Sequence, residues 1–186
     1  MTIFRTRFVL ELVPHTSSMP RDGWVGDHDL RPLSDRGRRQ ADALVTAIGT
    51  DVEAVFSSPA LRCRQTVTPL AETAGHTVEC LDTLAETERF PQPPDWADGV
   101  LAPMAEPLGG AWSAGRMMRA MAIMSGRHEG GRVVAASHGD SIPLALTALC
   151  ALFDVPLPLA IDRGGWYTVR LDQGQATVTA HPGEPA

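Results

Sequence analysis

The stretch Val52-Glu53-Ala54-Val55-Phe56-Ser57-Ser58-Pro59-Ala60-Leu61-Arg62 passes from an apolar run through a serine–proline turn into helical spacing. Residues 52–56 predict a short strand. Ser58 suits an N-cap and Pro59 the first helical position, so a helix is expected to run toward Ala74 and stop at Gly75. Pro69, inside that span, predicts a kink or a boundary. A strand leading directly into a helix is the unit of α/β layering, and the rest of the chain repeats it.

Upstream, residues 8–13 predict a largely buried first strand, with Glu11 interrupting the apolar run and Pro14 closing it. Residues 16–33 hold Pro20, Gly23, Gly26 and Pro32 and predict a long loop. Ser34 then reads as the N-cap of a helix carrying Ala41, Leu44, Val45 and Ile48 on one face and ending at Gly49. Downstream, residues 77–80 predict a short edge strand. Residues 86–110 carry Pro91, Pro93, Pro94, Pro103, Pro107 and Trp96, an irregular insertion of the kind that either covers a site or is mobile. Helical spacing returns at 112–124, where Met117, Met118 and Met121 read as core packing. Residues 132–137 predict a buried strand between Gly130-Gly131 and His138-Gly139-Asp140, followed by a helix over about 141–152. Residues 166–171 and 176–180 alternate as an antiparallel hairpin around Asp172-Gln173-Gly174.

Three chemically loaded points therefore fall at the carboxyl ends of strands: His15, the segment 57–62, and His138-Gly139. In open α/β sheets that rim is where ligands bind. Arg62, in the first helical turn, is expected to point back toward the rim, where free N–H groups and the helix dipole favour an anion. Its planar fork suits two phosphate oxygens. Histidine serves near neutral pH either as a neutral nucleophile or as a cationic stabiliser, and one of each suffices for phosphoryl transfer.

Composition bounds the partners. At 186 residues the chain fits one core, and a single domain over 1–186 is expected. With 16 basic against 22 acidic residues the net charge is −6, which disfavours nucleic-acid binding. No apolar run reaches the roughly 20 residues of a membrane span, and residues 8–13 are poor signal-peptide material. Cys63, Cys80 and Cys150 form no paired motif, so a cytoplasmic protein with reduced thiols is expected. Cys63, between Arg62 and Arg64, reads either as a reactive thiol or, on its helical position, as packing. A zinc site from His15, His138 and a carboxylate lacks any paired ligand spacing, and no metal or cofactor is expected. His28, His76, His128 and His181 read as surface residues.

The motifs together resemble the histidine phosphatase superfamily. Leu12-Val13-Pro14-His15-Thr16 is similar to its first motif, in which Arg-His-Gly follows the first strand. Pro32-Leu33-Ser34-Asp35-Arg36-Gly37-Arg38-Arg39-Gln40-Ala41 resembles its Pro-Leu-Thr/Ser-x-x-Gly-x-x-Gln-Ala helix start. Ser57-Ser58-Pro59-Ala60-Leu61-Arg62-Cys63-Arg64-Gln65-Thr66 resembles Ser-Ser-Pro-x-x-Arg-x-x-Gln-Thr, and Ser137-His138-Gly139-Asp140 its second histidine motif. The order is the family's, over most of the chain from about Thr6 to Leu171. Trp24-Val25-Gly26-Asp27 ahead of Leu30-Arg31-Pro32-Leu33 is also similar to phosphatase domains fused to Nudix hydrolases in actinobacteria.

The resemblance implies a three-layer α/β/α sandwich with a six-stranded, mostly parallel sheet and one antiparallel strand. It implies His15 as nucleophile through a phosphohistidine, with Arg62, His138 and the Gly139 backbone on the phosphate oxygens. Glu86 matches the family's acid and is preferred to Glu88; taken alone it equally reads as a solvated loop carboxylate. The first motif departs from the family: Pro14 stands where arginine precedes the histidine, and Thr16 replaces glycine. Losing one preorganised donor commonly costs about 10²–10³ in rate. Arg21, Arg5 and Arg7 are candidates for the missing cation, Arg21 being best placed by its loop. Two function classes follow. One is a phosphomonoesterase, less readily a mutase, for a small phosphorylated substrate; the other is a catalytically weak protein that binds a phosphorylated ligand.

Overall fold

A computed structural model describes residues 7–87, 90–91 and 93–183. Arg5 and Glu88 lie outside the described residues. Six strands form one sheet: β1 (Phe8–Pro14), β2 (Ala54–Ser57), β3 (Val78–Cys80), β4 (Arg132–Ser137), β5 (Trp166–Asp172) and β6 (Gln175–His181). Their order is β3-β2-β4-β1-β5-β6. β1 to β4 are mutually parallel, β5 pairs antiparallel with both neighbours, and it is the one strand running against the rest.

The pleat sorts side chains into two cores. Leu10 and Leu12 of β1 and Val133 and Ala135 of β4 face α3 (Ala105–Arg127) and α4 (Ser141–Phe153), where Met117, Met121, Met124, Ile142 and Leu146 are buried. The methionine stripe is core, as its spacing predicts. Val13, Val134 and Ala136 face the opposite way, onto α1 (Asp35–Ile48) and α2 (Leu61–Thr73), meeting Leu44, Ile48, Val67 and Leu70. A sheet apolar on both faces needs cover on both, which gives the three layers.

Local signals hold in several places. The Ser34 hydroxyl accepts from the Gly37 N–H and caps α1, and Gly49 closes that helix at φ 80°. The hairpin turn is Gln173-Gly174, with φ 49° and 93°, a two-residue turn whose twist matches the strands. α2 continues unbroken through Pro69.

Two expectations are corrected. Ser58 is not the N-cap residue of α2, which starts at Leu61 behind Ala60; its hydroxyl accepts from the Ala60 N–H at 3.3 Å and also lies against His138. The irregular insertion is shorter than 86–110. It contains 3₁₀ turns at Pro94–Ala97 and Gly99–Met104, and α3 begins at Ala105. Pro107 sits in the first turn of α3, where no helical N–H bond is lost. No described helix is long and apolar enough to cross a membrane.

Candidate active site

Parallel pairing of β1, β4 and β2 brings their carboxyl ends side by side, Pro14 beside Ser137 and Ser57 beside Ala136. His15 and His138 therefore leave adjacent strands at one rim. Their rings lie 5.7 Å apart, edge to face, and both residues are buried.

The loop after His15 is tied down by the second and third motifs. The Thr16 N–H donates to Thr66 Oγ1 at 3.0 Å, and the Thr16 hydroxyl donates to the Gly37 carbonyl at 2.9 Å. Threonine at this position is thus satisfied internally. Gln65 Oε1 accepts from the Leu33 N–H, and Gln40 Oε1 from the Ser17 N–H. Gly37 allows this closure, because a Cβ there would lie 1.8 Å from the Ser17 carbonyl oxygen.

Hydrogen bonds assign the histidine tautomers. His15 Nδ1 lies 2.8 Å from the Thr16 carbonyl, which can only accept, so Nδ1 carries the proton and Nε2 keeps its lone pair. Arg163 Nη1 stands 3.2 Å from the same Nδ1, but its shorter bond, 2.6 Å, goes to the His15 carbonyl. His138 Nδ1 lies 3.2 Å from Arg62 Nη2, a donor, so Nδ1 accepts and Nε2–H donates to Ser58 Oγ at 2.9 Å. Burial pushes both imidazoles down to about 3, with Arg163 the next cause at His15 and Arg62 at His138. Both are neutral near pH 7.

Arg62 has no solvent exposure. Nη1 donates to the His28 carbonyl at 2.9 Å, Nη2 to Glu86 Oε2 at 2.5 Å, and among the described residues its buried Nε has no partner. Glu86 Oε1 is 3.4 Å from His138 Nδ1. Burial raises the Glu86 pKa, Arg62 opposes this, and Asp140 adds to it.

His15, Arg62, His138 and Glu86 thus converge on one small region, with Gly139 following His138 at the start of α4. Arg21 lines an adjoining cavity of about 270 Å³ with His28, Glu86, Gly110 and Asp140. Arg7 pairs with Asp172 at the opposite end of β1 and is removed as a replacement cation. The four histidines read as surface residues are all partly exposed, and each has a partner. His28 is half-buried with its ring 3.9 Å from Glu86; His76 bonds the Val52 carbonyl; His128 faces Glu53; His181 stacks on Trp166. Cys63 packs beneath His138, and burial pushes its thiol up to about 12, which answers for packing over reactivity.

Arg163 is the residue that sequence reasoning missed. It lies in the turn preceding β5, and its guanidinium approaches both the His15 backbone and Gly139, where an added Cβ would sit 3.4 Å from Nη2.

With this geometry in place, residues 15–182 match the family model of the histidine phosphatase superfamily, branch 1. The chain belongs to that superfamily. Among solved structures, this histidine phosphatase is similar to phosphoserine phosphatase of Entamoeba histolytica, at 14% identity and TM-score 0.65, covering 96% of this chain and 98% of that one. It is also similar to a mycobacterial glucosyl-3-phosphoglycerate phosphatase, at 19% identity and TM-score 0.61 over 96% and 100% of the two chains. A third likeness is to the alpha-ribazole phosphatase of Shigella flexneri, at 20% identity and TM-score 0.61 over 93% and 95%. These likenesses support the fold. An 8-oxo-(d)GTP phosphatase of Mycolicibacterium smegmatis is 38% identical over 68 residues, 36% of this chain; the match spans 21% of that relative's length.

Proposed function

We propose that this histidine phosphatase is a phosphomonoester hydrolase that acts on a small phosphorylated substrate through a phosphohistidine at His15. The observation that carries the reading is the pair of buried neutral imidazoles, His15 with its Nε2 lone pair available and His138 bridged to Arg62 and Glu86.

His15 Nε2 attacks phosphorus as the bond to the leaving oxygen breaks, and the Glu86 carboxyl gives its proton to that oxygen. Arg62 and the Gly139 N–H stabilise the equatorial oxygens, joined by His138 when the phosphate monoester monoanion passes its proton to Nδ1. Water then attacks the phosphohistidine, the Glu86 carboxylate takes its proton, and inorganic phosphate leaves with His15 restored. A raised Glu86 pKa favours this double duty.

Pro14 supports the second reading, a weakly catalytic protein that binds a phosphorylated ligand, because it supplies no cation beside His15. Hydrolysis of p-nitrophenyl phosphate by the wild type and His15→Ala separates the two. The enzyme reading requires a His15-dependent rate and an acid-labile phosphoenzyme in quenched wild type. Equal background rates with retained phosphate binding establish the binding protein.

A further inference from the structure

We infer that Arg163 is the phosphate-binding cation of this site, standing in for the arginine that Pro14 displaces. This rests on the phosphatase reading above.

The topology brings Arg163 to the rim. β5 runs against β1, with Tyr167 beside Leu12, so the residues just before β5 lie beyond the carboxyl end of β1. Arg163 falls there, near Pro14, and the two line one cavity of about 330 Å³ together with Gly139, Ile142 and Tyr167. The guanidinium packs against Gly139 within ordinary contact distance, 3.4 Å from where a Cβ would stand, and shares its cavity with the short side chain of Pro14.

Its placement is fixed. The Arg163 carbonyl accepts from Gln40 Nε2 at 2.8 Å, and the same Gln40 amide accepts from the Ser17 N–H. The side chain is anchored at its tip by the bond from Nη1 to the His15 carbonyl. Among the described residues, Nη2 and Nε make no hydrogen bond, leaving donors in fork geometry for two oxygens of an anion. The guanidinium also lies close enough to both imidazoles to help hold them neutral. Arg21, by comparison, is exposed, lines the separate cavity beside His28 and Glu86, and among the described residues makes no hydrogen bond to either histidine.

The rival role is purely mechanical: a tether for the His15 carbonyl. Arg163→Gln removes charge, fork and tether together, and Pro14→Arg in that background tests the difference, because it returns a cation beside His15 without restoring the tether. Orthovanadate binding and p-nitrophenyl phosphate hydrolysis are measured for wild type, Arg163→Gln, Arg163→Lys, Pro14→Arg/Arg163→Gln and His15→Ala. The expected result is a loss of about 10²-fold in kcat/KM for Arg163→Gln, with vanadate affinity at least about tenfold weaker. Lysine should retain part of both, and Pro14→Arg should recover part of the loss. Unchanged vanadate binding and turnover in Arg163→Gln, with His15→Ala inactive, overturns the inference and leaves the phosphatase reading standing. A wild type that neither binds vanadate nor shows a His15-dependent rate sinks both. Should Arg163→Gln fail to fold, the unsubstituted protein still decides: inorganic phosphate must shift the Arg163 side-chain nitrogen resonance, and an unmoved resonance overturns the inference.

Discussion

Arg62 donates to Glu86 at 2.5 Å, yet the Glu86 carboxyl holds its proton more tightly than an ordinary glutamate. A neighbouring cation normally favours the carboxylate; here burial outweighs it, and Asp140 reinforces burial. On the proposed mechanism, the pair combines an anion-binding fork with an acid that still has a proton to give.

Glu86→Gln should lower kcat on an alkyl phosphate by about 10²–10⁴ and affect p-nitrophenyl phosphate far less, since that leaving group needs little protonation. Because the acid form is required, wild-type alkyl phosphate turnover should fall as pH rises through the raised Glu86 pKa. Asp140→Asn removes the like charge, so its falling limb should move toward lower pH. Steady-state pH profiles check this; an unmoved limb would deny Glu86 the acid's role.

His15 and His138 both titrate near 3 in the folded protein against 6.5 in their unperturbed state. Below 6.5 the unfolded chain takes up protons that the native site refuses, so stability falls as pH drops from 6.5 toward 3. Each histidine contributes up to about 1.4 kcal/mol per pH unit in that window. Urea unfolding between pH 7 and 4.5 should show a steeper loss in the wild type than in His138→Gln. Equal slopes would contradict the depressed pKa.

Gly37→Ala should destabilise the protein by about 1–3 kcal/mol, since the new methyl would overlap the Ser17 carbonyl. The same change should weaken vanadate binding, because the loop it displaces carries Thr16 and Ser17. Denaturant midpoints and a vanadate titration measure both effects.

Cys80 is exposed, whereas Cys63 is buried with its thiol pushed up to about 12. Iodoacetamide at pH 8 should label Cys80 and spare Cys63 in the folded protein, as read by peptide mass spectrometry. Labelling of Cys63 in native protein would show that the wall beneath His138 opens.

The rim was legible from sequence because its parts are local. β4 announces itself as Val-Val-Ala-Ala between a glycine pair and His138, and Arg62 follows its strand by five residues. Ser58 misled for a physical reason: a hydroxyl before a proline suits a cap, and only the neighbouring strand reveals the imidazole that engages it. Arg163 was invisible because its meaning depends on the one reversed strand, which brings to His15 a residue 148 positions away in the chain. The available signal was modest: a basic residue before Gly164-Gly165, just upstream of a strand destined to run against β1. His28 was hidden likewise, since its backbone carbonyl, and not its ring, holds Arg62.

The amide of Gln40 grips Ser17 with one atom and the Arg163 carbonyl with the other, from a single helical turn of α1. The opening and closing segments of the chain are thereby yoked to one rigid rod. A rotation of α1 would therefore carry the loop after His15 and the Arg163 backbone together, like the two sides of one jaw.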